Sequence, residues 1–140
     1  VAYESSTAIL RTLVQAVRAN AALKASLKGG IHEGFSPEDT LVYPLAIYVL
    51  VAAVNEDAWG SRMIVALVDI TVYSRDQVEA SNLDVSMLQT LDGASLTVDG
   101  QTTLIARRVN DLRSTDVDEE GLKVYGVGGS YEIWTDQTES

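Results

Sequence analysis

His32 is the chain's single histidine, and it stands beside Glu33 just ahead of a loop. One imidazole excludes a multi-histidine metal cluster, and general-base work would require partners that the neighbouring residues do not supply. A surface or hydrogen-bonded structural histidine is the expected role. Four carboxylates crowd into Asp116-x-Asp118-Glu119-Glu120. Calcium and magnesium want several such oxygens, but the spacing departs from the EF-hand loop. A solvated acidic turn that discourages edge pairing accounts for the same residues more simply.

Gly126-Val-Gly-Gly129 shares only its glycine content with a phosphate-cradling loop, because no lysine follows and the segment lies inside a strand pattern. Glycine in a strand more often marks a bulge or the close approach of a neighbouring backbone, within a subunit or between subunits. Ser61, Ser74 and Ser130 lack the strand–turn–helix context of a nucleophile elbow. Absence of cysteine removes thiolate nucleophiles, disulfides and thiolate zinc sites together. No catalytic residue, metal ligand or cofactor is therefore expected, and the chain does not read as an enzyme.

Contact with other protein is the chemistry that remains. Trp59 is flanked by Glu56, Asp57, Gly60 and Arg62 in a hairpin loop, where an indole is hard to bury within a small domain. Tryptophan and arginine are enriched at interface hot spots, although the loop could also fold back over its own strands. Arg107 and Arg108 point to opposite faces of a strand, so at least one should meet an acid on its own sheet or on a neighbour. The candidate contact residues are Glu56, Asp57, Trp59, Arg62, Arg107 and Arg108, with Asp118, Glu119 and Glu120 of the acidic turn.

These residues need elements to hold them. Ser5 or Ser6 can cap a helix to about Ala19, with Ile9, Leu10, Leu13, Val14 and Val17 at helical spacing. Asn20 caps a short second helix that Gly29 and Gly30 terminate. Its single cation, Lys24, is too little for a DNA-reading helix. Ile31 to Leu41 reads as a surface loop, and Pro44 opens a strand whose apolar run to Ala53 predicts burial on both faces. After turn residues Asn55 to Ser61, Ile64, Ala66, Val68, Ile70 and Val72 line one face of a second strand, completing a long hairpin.

Asp76 can cap a third helix to about Leu91, with Ala80, Leu83, Met87 and Leu91 facing the sheet and Asp92-Gly93 ending it. Asp99-Gly100 predicts a tight hairpin between Leu96-Thr-Val98 and Thr102 to Val109. The last strand, Leu122 to Trp134, puts Tyr125, Val127, Tyr131 and Ile133 on one face. The expected fold is one α+β domain over residues 1–140: a mixed, mainly antiparallel sheet of about four long strands, packed by two to three helices, with an extra β-hairpin. Asp136 to Ser140 has the composition of a flexible tail.

A hydrophobic fraction of 46% with 21% charged residues is ordinary globular usage and argues against disorder. The longest apolar run, Pro44 to Val54, is too short to span a bilayer, and the N-terminus lacks signal-peptide order, so a cytosolic site of synthesis is expected. A net charge of -10 repels nucleic acid and anionic membrane alike, so neither is an expected partner. The charge is uneven. Residues 1–28 hold Arg11, Arg18, Lys24 and Lys28 against Glu4, whereas acids dominate from Arg113 onward. Such polarity could orient head-to-tail contacts between subunits, or both ends could simply be solvated.

The order of landmarks resembles the tail terminator, or tail-completion, proteins of long-tailed bacteriophages. The similar features are Leu27-Lys-Gly-Gly-Ile31 after the opening helices, Pro44-Leu-Ala-Ile-Tyr48, Val68-Asp-Ile-Thr-Val-Tyr-Ser74 before a helix, Leu91-Asp-Gly93 and Gly129-Ser-Tyr-Glu-Ile-Trp134. They span nearly the whole chain. The resemblance implies a structural virion protein at the head–tail junction: a homo-hexameric ring that caps the tail tube, stops its polymerisation and meets the head connector, without a cofactor. Another head–tail joining or tube protein is the alternative nearest to it. A small-molecule or metal-binding module using the acids at 116–120 is the alternative from a different class.

Overall fold

The computed structural model of the chain describes residues 6–34, 42–58, 61–98, 102–117 and 120–138. Helix α1 spans Ser6–Ala19 and α2 spans Ala21–Ser26. Asn20 sits between them in extended geometry, its side chain accepting a hydrogen bond from the Leu23 amide at 3.2 Å, so it caps α2. The same side chain donates to Thr90 Oγ1 at 2.9 Å and ties the cap to α3, which spans Gln77–Leu91.

Helix α3 begins where the sequence places it. Asp76 accepts from the Val78 amide at 2.9 Å, and Glu79 accepts from the Ser74 hydroxyl at 2.7 Å, which fixes the exit from the preceding strand. Gly93, at φ 73°, takes the left-handed turn that ends the helix.

Six strands form one sheet in the order β1-β2-β3-β6-β5-β4. Their spans are β1 Ile31–Glu33, β2 Leu45–Ala58, β3 Ser61–Ser74, β4 Ser95–Val98, β5 Thr102–Val117 and β6 Lys123–Thr138. All neighbours are antiparallel except β1 and β2, which run parallel. The mixed α+β class is as expected, but the strand count is six. The four long strands are present, and two short ones border them.

Two departures account for the difference. Ile31–Glu33, expected to open a loop, pairs with Ala46–Tyr48, a three-residue strand too short to show alternation. The hairpin expected as an extra is continuous with the main sheet, because β5 runs on through the polar residues 110–117 to pair with Gly129, Gly128 and Gly126 of β6. Its turn, Asp99-Gly100, lies outside the described residues. Strand β6 continues to Thr138, into the stretch expected as a tail.

All three helices cover the same face of the sheet. Ile9, Leu13 and Val17 of α1, Leu23 of α2, and Met87 and Leu91 of α3 pack with Ala66, Val68, Ile70, Leu104, Ala106, Tyr131 and Ile133. Each buried aliphatic side chain contributes about 1.5–3 kcal/mol relative to leaving it in water. One expectation fails here. The apolar run of β2 is not covered on both faces, since Val49, Val51, Ala52 and Ala53 are exposed.

Candidate assembly surface

The cross-strand register assigns the face that no helix of the described residues covers. Val65 pairs with Trp134, and Trp134 pairs with Ile105, so one apolar row crosses β3, β6 and β5. The next row is Leu67, Glu132 and Arg107, and the one after it centres on Asp69 and Ser130. On β2, Ile47 and Val49 align with Thr71 and Asp69 and extend the same face. Trp134 is 40% exposed and Val49 44%, and Ile105 is comparably open. Apolar side chains open to water along such a row are candidates for contact with other protein.

The polar groups of this face are ordered. Ser130 Oγ donates to Asp69 Oδ1 at 2.6 Å, joining β6 to β3 at the centre. Arg107 and Glu132 stand opposite each other in register, a cross-strand arrangement of opposite charges. Tyr73, farther along, has its phenol pKa raised, first by burial and then by the Asp116 carboxylate. Nothing here resembles a nucleophile with its base.

Arg108, the neighbour of Arg107, points to the helix side as strand geometry requires. Its Nη1 and Nη2 donate to Asp84 Oδ1 and Oδ2 on α3 at 3.0 and 2.9 Å. Nη2 also donates to the Gly128 carbonyl and lies 3.1 Å from Asp111 Oδ1. Its guanidinium stands over the Tyr131 ring, 5.6 Å from the centroid. Burial opposes the charge, but the Asp84 hydrogen bonds and the charges of Tyr131, Asp84 and Asp111 together raise the pKa of Arg108. Arg108 is thus engaged within the subunit, locking α3 to the sheet.

The glycines of β6 serve the same packing. A methyl at Gly129 would overlap the Arg108 guanidinium, and one at Gly128 would overlap the backbone of β3 at Ile70 and Thr71. The close approach expected for this segment is therefore found within the subunit.

The remaining sequence candidates are distributed as follows. Glu56 and Asp57 belong to β2 and Arg62 to β3, with Asp57 opposite Arg62 in register, so the expected turn from Asn55 to Ser61 is mostly strand. Trp59, Asp118 and Glu119 lie outside the described residues, and Glu120 is exposed just after β5. His32 is half-buried, its Nε2–H donating to the Gly29 carbonyl at 2.6 Å. Among the described residues no group of three or more His, Cys, Asp or Glu side chains could hold a metal ion. No helix of the described residues is long and apolar enough to cross a membrane. The sequence candidates do not include Trp134, although its place after Ile133 in an alternating strand puts it on the opposite face.

Among the described residues the sheet is backed by helices on one face and carries a partly apolar, uncovered second face. Residues 11–136 match the family model described as tail completion protein gp17, and the chain belongs to that family, which makes it a structural protein of the phage tail. The fold is shared with a chain of the solved virion of a native gene transfer agent particle, at a TM-score of 0.66 and 15% identity over 95% of this chain and 99% of that one. A sequence search of curated proteins finds no match.

Proposed function

We propose that this chain is a tail terminator: a subunit of a hexameric ring that caps the tail tube, stops its polymerisation and presents a surface to the head connector. The observation that carries this reading is the uncovered sheet face with its Val65–Trp134–Ile105 row, which a free subunit would leave in water. Membership of the tail completion family supports a role in finishing the tail, and the likeness to a virion chain supports a place in the particle. The candidate contacts at Glu56, Asp57, Trp59, Arg62 and Arg107, and in the acidic turn Asp118, Glu119 and Glu120, belong to this proposal. None of these roles requires a cofactor, and the family's structural work points away from enzymatic activity.

Light scattering and negative-stain imaging of the purified chain, alone and with tail tube protein, test the reading. Rings, free or at tube ends, are expected. A strict monomer at high concentration that also ignores tubes would overturn the proposal, and unlimited growth into tubes would make the chain a tube subunit.

A further inference from the structure

Strands β2 and β5 are each covered along one half of their outer edge and bare along the other. Strand β1 pairs with β2 at Ala46–Tyr48, and the Gly34 amide donates to the Tyr48 carbonyl at 2.9 Å. Beyond that point β2 bulges at Val51, between Leu50 and Ala52, and pairs on its inner side with β3 as far as Ala58. On the far side of the sheet, β4 pairs with Thr102–Ile105 of β5. The Gly93 amide then donates to the Ala106 carbonyl at 2.8 Å, and the Arg108 amide to Asp92 Oδ1 at 2.8 Å. There β5 bulges at Val109 and runs on to Val117 beside β6. Among the described residues no hydrogen bond reaches the outer edge of Leu50–Ala58 or of Val109–Val117.

An edge that is to stay free is commonly blunted by lysine, by proline or by being short. Leu50-Val-Ala-Ala-Val54 has neither charge nor proline, and Val51, Ala52 and Ala53 are exposed. Asp111, Arg113 and Asp116 of the β5 stretch leave the strand along its two faces, so they do not occupy its edge. The two bare stretches are equal in length and lie at opposite edges and opposite ends of the sheet, one where β2 turns into β3, the other where β5 turns into β6. Strands β3 and β6 hold them about 14 Å apart at the usual strand spacing, so one subunit cannot pair them with each other.

We infer that the bare edge Leu50–Ala58 of one copy pairs with the bare edge Val109–Val117 of the next, continuing the sheet from subunit to subunit. Strand direction supports it. Strands β2, β3, β6 and β5 alternate in direction, so β5 of one copy and β2 of a neighbour held the same way up are antiparallel, the commoner ladder. Main-chain hydrogen bonds then satisfy both rows at once. A strand of a different protein could cover either edge, but a second copy is the partner that uses both through one repeated contact and leaves neither open in a closed ring. Because the two edges are offset along the strands, each copy is staggered relative to the last, and stagger goes with tilted strands in a sheet that closes on itself.

This inference rests on the ring reading and specifies its joint. Backbone amide hydrogen exchange on the full-length chain, as dilute subunit and as ring, free or at tube ends, reads both edges. Exchange in peptides covering 50–58 and 109–117 should slow at least tenfold on assembly. The chain has no cysteine, so introduced thiols identify the partner. Ala53 pairs with Ala66, and Arg113 and Thr115 pair with Val127 and Tyr125, so all three lie on the helix side of the sheet. Chains carrying Ala53→Cys with Arg113→Cys, or with Thr115→Cys, should give a ladder of disulfide-linked oligomers on mild oxidation. Within one subunit these positions are too far apart to bridge. Circular dichroism establishes that the variants are folded. Rings in which either edge exchanges as in the free subunit, or in which neither variant gives a ladder, overturn the edge joint and leave the ring reading intact. Dimers linked through Ala53→Cys alone overturn it in favour of twofold pairing between β2 strands. A native chain that never assembles, even on tubes, removes both.

Discussion

Arg108 of β5 and Asp84 of α3 face each other through two parallel hydrogen bonds, with side chains only 8% and 11% exposed. A fork-to-fork pair fixes angle as well as distance, so it sets how α3 lies across β5 and β6. Desolvation offsets much of its Coulomb gain, and the pair specifies packing more than it adds stability.

Removing one partner should therefore cost more than removing both. Arg108→Ala strands the Asp84 carboxylate and should lower unfolding free energy by about 3–5 kcal/mol. Arg108→Met with Asp84→Leu should recover most of that loss. Urea denaturation of the two single variants and the double variant checks this, and a double variant as unstable as the sum of the singles would refute it.

Tyr131 gives a pH-dependent counterpart. Its hydroxyl is buried without a hydrogen-bond partner, and burial pushes its pKa up to about 12 from 10.0, against the nearby Arg108 charge, which lowers it. The unfolded chain releases this proton first, so the contribution to stability is complete below pH 10.0 and is lost as pH rises through about 12. Tyr131→Phe should flatten that alkaline loss. At neutral pH it should be neutral or stabilising by about 1 kcal/mol, because no buried hydroxyl is left unsatisfied. Thermal melts from neutral to strongly alkaline pH compare the two chains.

Local chemistry was legible in the sequence where local chemistry decides the structure. Asp76 and Gly93 bound α3, and the alternation from Ile64 to Val72 marks one face of β3, because caps and strand period act within a few residues. Strand β1 and residues 110–117 of β5 were not legible, since only their partners make them strands: three residues show no period, and the mostly polar run is a strand because β6 continues opposite it. The β2 run misled for a different reason. Apolar residues on both faces of a strand do not say whether both faces are covered within the subunit, and Val49, Val51, Ala52 and Ala53 are exposed.

The glycines of β6 should tolerate little. Gly129→Ala pushes against a guanidinium that Asp84 holds in place, and against the Asn110 carbonyl, while Gly128→Ala meets strand backbone directly. Overpacking of this kind costs about 1–3 kcal/mol and occasionally more. Gly128→Ala should be the more damaging, because backbone yields less than a side chain. Paired melting curves decide the order, and near-native stability of both would contradict the packing described.

The bare sheet face makes the sharpest separation between folding and assembly. Ile105 and Trp134 are cross-strand partners on that face and contribute to the sheet through each other. Replacing either with lysine should change unfolding free energy by about 1 kcal/mol or less, since the side chain already meets water in the free subunit. If this face is covered in the virion, the same change places a charge inside an interface, where an unpaired charge costs far more than a lost apolar contact. Ile105→Lys and Trp134→Lys should thus fold and melt almost as the native chain does while failing to form rings or to bind tubes. Native-like assembly of both variants would mean that the face stays exposed to solvent in the particle, and that the apolar row has a role other than contact.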